Sequence, residues 1–449
     1  MLKRTLSETR IVIGITGITK PEIFKVSPDV RRIAYVMRAL PISSQCAVFI
    51  DGQYNSLEPW NIKLFDGIGK NLLFSPDSKR VAYVAVERNR QFVVVDGKEE
   101  KQYDGIGESG LIFSPDSKRL VYVAGMTDKQ FVVIDGEDGK LYDNIGITVI
   151  FSPDSKRLAY VAGVGNNWFV VVDGKEGKFY RGIERGSPIF SSDSKHLAYV
   201  AGMPNSKKAV VVVDGEEGKA YDGVPGSSLV FSADSKHIAY VAGQNEKQFL
   251  VMDSKEEGPY DGIGSRGIIF SADSKRLAYS ARVSKKCFVV VDGKVTKHYD
   301  GTNFVTFSPD GKRVAFVACV NNKWFVVVNG KQEISYDGIA AINPVFSPDS
   351  KRLVYAAGLG NKRFAVVDGK AQKHYDGFDA LTFSPDSKHL AYMTLDENKW
   401  FVVVDGNDGK PYDGFFIKEG GRIIFDSPDS FHYLAKKGDG VYLVEEKIE

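Results

Sequence analysis

A Phe-Ser-Pro-Asp-Ser-Lys-Arg-like phrase recurs along the whole chain. Its Asp falls at Asp29, Asp77, Asp116, Asp154, Asp193, Asp234, Asp273, Asp310, Asp349, Asp386 and Asp429, at intervals of 37–48 residues. A fixed period of this kind means one small unit repeated, each copy burying its apolar faces against the next. No linker or low-complexity tract separates the copies, so residues 1–449 read as one continuous array.

Each unit predicts four short strands, a to d. In the copy that starts at Ile150, strand a ends in Ile150-Phe151, strand b is Arg157 to Ala162, strand c is Phe169 to Val172, and strand d leads into Tyr180. Phe-Val-Val-Val is apolar on both faces, as a strand sandwiched between sheets must be. Asp173-Gly174 and its kin are hairpin signals between c and d. In Ser-Pro-Asp-Ser, Pro supplies the fixed φ of a turn, and Asp offers a side-chain oxygen to nearby N–H groups. The copies at Asp193, Asp234 and Asp273 drop the Pro but keep the Asp, so the Asp bonds are expected to matter more. Four strands in roughly 40 residues, with no helical periodicity, predict an all-β β-propeller of four-stranded blades.

Ten units are complete, and after them come only strands a, b and c. The missing fourth strand is expected from residues 10–18, pairing with 423–445 to make a closing blade shared by the two termini. Such a blade removes a free sheet edge. Eleven blades exceed the usual range of about 4–8. One large ring and two joined rings both fit the count.

The phrase Phe-Ser-Pro-Asp-Ser-Lys-Arg-Leu-Ala-Tyr-Val-Ala resembles the propeller repeats of the TolB type, which are related to WD-repeat propellers. The resemblance runs from Phe24 to Val444 and implies a platform that binds other proteins. Prolyl oligopeptidases join similar propellers to a hydrolase domain, but no Gly-x-Ser-x-Gly nucleophile elbow occurs in this chain.

Composition narrows the function further. Lys+Arg number 59 against 57 Asp+Glu, a net charge of +2, which argues against nucleic acid as a partner. No apolar run approaches the ~20 residues of a membrane helix. Glu8 and Arg10 interrupt any export signal, and three cysteines make no disulfide framework. A cytoplasmic setting is expected. The histidines are repeat-position variants: His196, His237, His389 and His432 stand where other units have Arg, and His298 and His374 precede Tyr-Asp-Gly. The carboxylates are equally periodic, and Asp405-Gly-Asn-Asp408-Gly409 lacks the spacing of a calcium loop. The reading assigns no catalytic residue, no metal site and no cofactor.

Where the copies differ is more informative. The a–b and c–d turns hardly change, while the b–c loops and the d-to-a crossings do, and these should share one face. That face carries Lys208, Lys286, Lys323, Arg363 and Lys399 in its b–c loops, with Trp168, Trp324 and Trp400 at one recurring loop-end position. Trp and Arg anchor protein interfaces. The same pattern equally fits Asn and Lys solvating the turns while Trp caps the core. These eight residues are the expected contact set for a protein partner of acidic character, on a non-enzymatic scaffold. The alternatives are a propeller hydrolase or lyase acting at the central channel, and a self-associating structural array.

Overall fold

The computed structural model describes residues 2–12, 23–38, 45–51, 53–54, 63–107, 110–264, 267–340 and 344–449. The chain folds into eleven antiparallel sheets, each of four strands in the order a-b-c-d, and in five of them strand a is broken into two short pieces. Two single-turn 3-10 segments, Gly226–Ser228 and Ile417–Glu419, are the helical elements among these residues. This is a β-propeller, as the repeat predicts.

With the blades numbered in chain order from blade 1 (Ile23–Tyr54) to blade 10 (Gly377–Asp408) and the closing blade last, blade 4 shows the local logic. Its strands are Asn144–Phe151, Leu158–Val164, Asn167–Val172 and Lys175–Glu176. Strands b and c thus sit where the sequence places them, b shifted to start one residue later and end two further, and c starting two residues earlier. Strand d is short, but an isolated bridge between Trp168 and Tyr180 extends the pairing to the crossing. Asp173 takes φ +51° and Gly174 φ +78°, the two positive values that a tight Asp-Gly hairpin turn requires.

Alternation along strands b and c feeds two interfaces at once. In blade 2, Val81, Tyr83, Ala85, Phe92 and Val94 pack towards blade 1, against Ala34, Val36, Val48 and Phe65. Their neighbours Ala82, Val84, Val93 and Val95 pack towards blade 3, against Leu111, Phe113, Tyr122 and Phe131. Each buried Val or Phe contributes about 1.5–3 kcal/mol relative to exposure. That two-sided burial is why Phe-Val-Val-Val shows no polar alternation.

Backbone contacts divide the chain into two units: Met1–Val149 with Ala162–Val164 and Asp379–Glu449, and Ile150–Val161 with Gly165–Phe378. The first holds the closing blade, blades 1–3 and nearly all of blade 10; the second holds blades 5–9 and most of blade 4.

The closing blade takes three strands from the end of the chain and one from the front. Gly414–Phe415 and Ile424–Phe425 pair with Ser430–Lys437, which pairs with Gly440–Ile448. The last strand pairs with Arg4–Val12, in register from Arg4↔Ile448 to Arg10↔Tyr442, with a one-residue shift before Val12↔Val441. The front strand therefore lies earlier than the expected 10–18. Residues 13–18 of that expectation lie outside the described residues.

Candidate functional site: the two ends of the blades

At one end of each blade, the a–b turn and the c–d hairpin form a closed set of hydrogen bonds. In blade 2, Ser75 Oγ donates to Asp77 Oδ1 at 2.6 Å, and Lys79 N–H donates to the same oxygen at 3.2 Å. Asp77 N–H donates to Ser117 Oγ of blade 3 at 2.9 Å, which ties neighbours together. The copies without Pro do the same: Asp193 Oδ1 accepts from Ser191 Oγ at 2.7 Å and from Lys195 N–H at 3.1 Å. The Asp bonds therefore persist where the Pro is lost. These donors hold the turn carboxyls below their usual range, Asp193 and Asp386 down to about 2.

The opposite end carries the b–c turns and the d-to-a crossings, as expected. Here a second device recurs. Asp300, in the crossing after blade 7, accepts from Lys286 Nζ of that blade's strand c at 2.7 Å. Its other oxygen accepts from Asn321 N–H in the b–c turn of blade 8 at 2.8 Å. Asp261 does the same with Lys247 and Ser284 N–H, and Asp337 with Lys323 and Gly360 N–H. Asp413 joins Lys399 to Gly438 N–H, and Asp104 joins Arg90 to Thr127 N–H. Each carboxylate clips one blade's strand c to the next blade's turn. Lys286 beside Asp300 holds that carboxyl below its ordinary value.

The expected contact residues divide accordingly. Lys286, Lys323 and Lys399 are exposed clip cations, each 2.6–2.7 Å from its Asp. Arg363 is exposed and donates to the Gly360 and Lys362 carbonyls at 3.1 and 2.9 Å. Lys208 occupies the clip-cation position of blade 5, yet it forms no ion pair among the described residues. The three tryptophans are half-buried. Trp324 packs on the core between blades 8 and 9, and Trp400 meets Phe415 edge-on at 5.9 Å. Trp168 pairs through its backbone with Tyr180, N–H to O at 2.9 Å. Trp324 and Trp400 thus cap the core, and all three residues stay partly exposed.

The sequence reading missed one residue, Arg181. In nine of ten crossings the residue after the aromatic is Asp; in Tyr180-Arg181-Gly182 it is Arg. That exception is visible in the repeat and coincides with a cleft described below.

Among the described residues, no group of three or more His, Cys, Asp or Glu is placed to hold a metal, and no helix is long and apolar enough to cross a membrane. His196, His237 and His389 each place Nδ1 within 2.6–2.7 Å of a c–d hairpin Asp. They make the hairpin contact of the Arg they replace.

No protein-family profile matches the chain, and no curated protein sequence matches it. Solved structures do. A eukaryotic initiation factor is similar over 76% of this chain and 95% of its own, at 16% identity and TM-score 0.41. TolB from Acinetobacter baumannii is similar over 56% and 77%, at 17% identity and TM-score 0.27. The Dos1 propeller is similar over 66% and 91%, at 10% identity and TM-score 0.33. The structural neighbours are β-propellers, and the likeness is one of fold alone.

Proposed function

We propose that the protein is a non-enzymatic scaffold that captures a protein partner at the b–c turn end of its blades. One observation carries the reading: side chains vary from blade to blade at that end, while the a–b and c–d end repeats one hydrogen-bonded arrangement. Loops that differ on a rigid repeated frame are where such a frame individualises its contacts. The clips fix the turns in place, so little ordering entropy is lost when a partner docks.

The test must leave the clips intact. Lys285, at the tip of the blade 7 turn, and Arg363, in blade 9, are exposed and form no ion pair among the described residues. Affinity capture from native-host lysate, with wild type and a Lys285→Glu/Arg363→Glu variant, should show a partner held by the wild type, weakened in the variant and released by salt. Equal capture by both proteins, at equal melting temperatures, would contradict the assignment of the face.

A further inference from the structure

All three members of the clip are replaced together at one junction. At most other junctions the clip joins a strand c cation, a crossing Asp and a turn N–H; after blade 1 Gln45 replaces the cation alone, and after blade 5 Asp222 keeps its turn N–H without an ion pair to Lys208. After blade 4 the cation position holds Asn167, the crossing holds Arg181, and the turn position holds Pro204, which has no N–H to donate. The blade 5 turn is also longer by two residues: His196 pairs with an Asp 18 positions on, where Arg157 and His237 pair at 16.

The substitutions leave a surface cleft of about 530 Å³ between the two turns, lined by Asn166, Asn167, Arg181, Asn205, Ser206 and Lys207 with Tyr180 and Pro204. Arg181 Nη1 donates to Ser206 O at 2.6 Å, which holds the guanidinium beside the longer turn. Its Nε and Nη2 lie over Gly202, 3.4 Å from where a Cβ would stand. None of the lining residues is acidic, and two are cationic. Lys208, next in sequence, lacks the ion pair its position makes in seven other blades, and its counterpart Asp222 accepts from Asn245 N–H. Where nine junctions supply a carboxylate from the chain itself, this one presents guanidinium, ammonium, amide and hydroxyl donors without one.

We propose that the blade 4–blade 5 cleft is a carboxylate-binding site, filled by an acidic side chain from a segment of the partner protein. Arg181 offers a planar fork matched to a carboxylate. Lys207 adds charge, and the Asn amides and Ser206 hydroxyl can donate to the remaining lone pairs. The cleft opens on the variable end, so an extended acidic segment can reach it without rearrangement of the blades. The inference rests on the scaffold reading, because it names the chemistry that one part of that face recognises.

The test uses the full-length protein and a fluorescently labelled hexaglutamate peptide, with hexaglutamine and inorganic phosphate as comparison probes. A variant that restores two of the three clip members, Asn167→Lys/Arg181→Asp, supplies the cation and the crossing carboxylate, and Lys207→Gln is the milder second variant. Hexaglutamate should bind the wild type, bind the restored variant about tenfold more weakly, and bind Lys207→Gln a few-fold more weakly. Hexaglutamine should bind at least about tenfold more weakly than hexaglutamate. Equal affinity of wild type and both variants for hexaglutamate would overturn the proposal, as would no hexaglutamate binding. Phosphate binding tighter than the peptide would overturn the carboxylate assignment. Failure here with partner capture still lost in Lys285→Glu/Arg363→Glu would leave the scaffold reading standing without the cleft. Failure of both would remove the reading itself.

Discussion

Arg80 Nε lies 3.0 Å from Asp96 Oδ2 within blade 2, joining the start of strand b to the c–d hairpin. The same guanidinium reaches the next blade, donating from Nη1 to the Ser117 and Lys118 carbonyls at 3.2 and 3.0 Å and lying 5.2 Å from the Phe113 ring centroid. Arg32, Arg157 and Arg276 repeat the arrangement. One side chain thus fastens a hairpin and a neighbouring blade together.

His196 occupies the same place in blade 5 and keeps the hairpin half, with Nδ1 2.7 Å from Asp214 Oδ2. An imidazole is too short to span to the following a–b turn as well. His196→Arg should restore bonds to the Ser235 and Lys236 carbonyls and stabilise the fold by about 1 kcal/mol. A rise in the denaturation midpoint at unchanged slope would bear this out; an unchanged or lower midpoint would not.

The turn carboxylates make the fold acid-sensitive. Asp193 and Asp386 have folded pKa values of about 2, against a usual value of 3.8. A depressed folded value means that their stabilisation is complete above the unfolded pKa and is lost as pH falls from about 4 towards 2. Melting temperature should drop across that window, and Asp193→Asn should start lower at pH 7 and drop less steeply. A wild-type curve that is flat between pH 4 and 2 would contradict this.

The closing blade rests on a buried pair. Arg4 Nη1 is 3.1 Å from Glu446 Oε2, Tyr433 OH donates to Glu446 Oε1 at 2.6 Å, and Glu446 is 3% exposed. Arg4→Ala strands a carboxylate in an apolar site and should cost about 3 kcal/mol. Burial already pushes the Glu446 carboxyl up, so Glu446→Gln in the Arg4→Ala background should recover part of the loss. Hydrogen exchange of Arg4–Val12 would report it, since that strand should open first. Equal protection in wild type and Arg4→Ala would count against the latch.

Reversing the clip cations should damage the fold itself. Lys286→Glu, Lys323→Glu and Lys399→Glu together would set three glutamates against Asp300, Asp337 and Asp413. Each exposed pair is worth about 0–1 kcal/mol, and repulsion adds to its loss, so the melting temperature should fall. Lys285→Glu/Arg363→Glu, outside the clips, should leave it nearly unchanged.

The blade pattern is legible in the sequence because turns and strands are local: Asp-Gly, Ser-Pro-Asp-Ser and Phe-Val-Val-Val each act within a few residues. The clips are not. Lys286 and Asp300 are 14 residues apart and Asp300 and Asn321 are 21; the 14-residue spacing recurs from blade to blade, but only the folded crossing brings the two ends together. A basic face therefore reads as unpaired charge, although Lys286, Lys323 and Lys399 each have an aspartate beside them. The sequence leaves the tryptophans equally as contact anchors or as core caps, and the fold shows Trp324 and Trp400 packed on the cores of neighbouring blades. The front strand, expected at 10–18, lies six residues earlier, at Arg4–Val12.

The scaffold reading meets its most direct test in site-specific photo-crosslinking from both ends of the blades. A photoreactive residue at Lys285 reports on the b–c turn end, and one at Lys156, exposed on an a–b turn, reports on the other. Incubation with native-host lysate should give a discrete, salt-sensitive crosslinked species from position 285 and none from position 156. The same species from position 156 with none from 285 would contradict capture at the variable end.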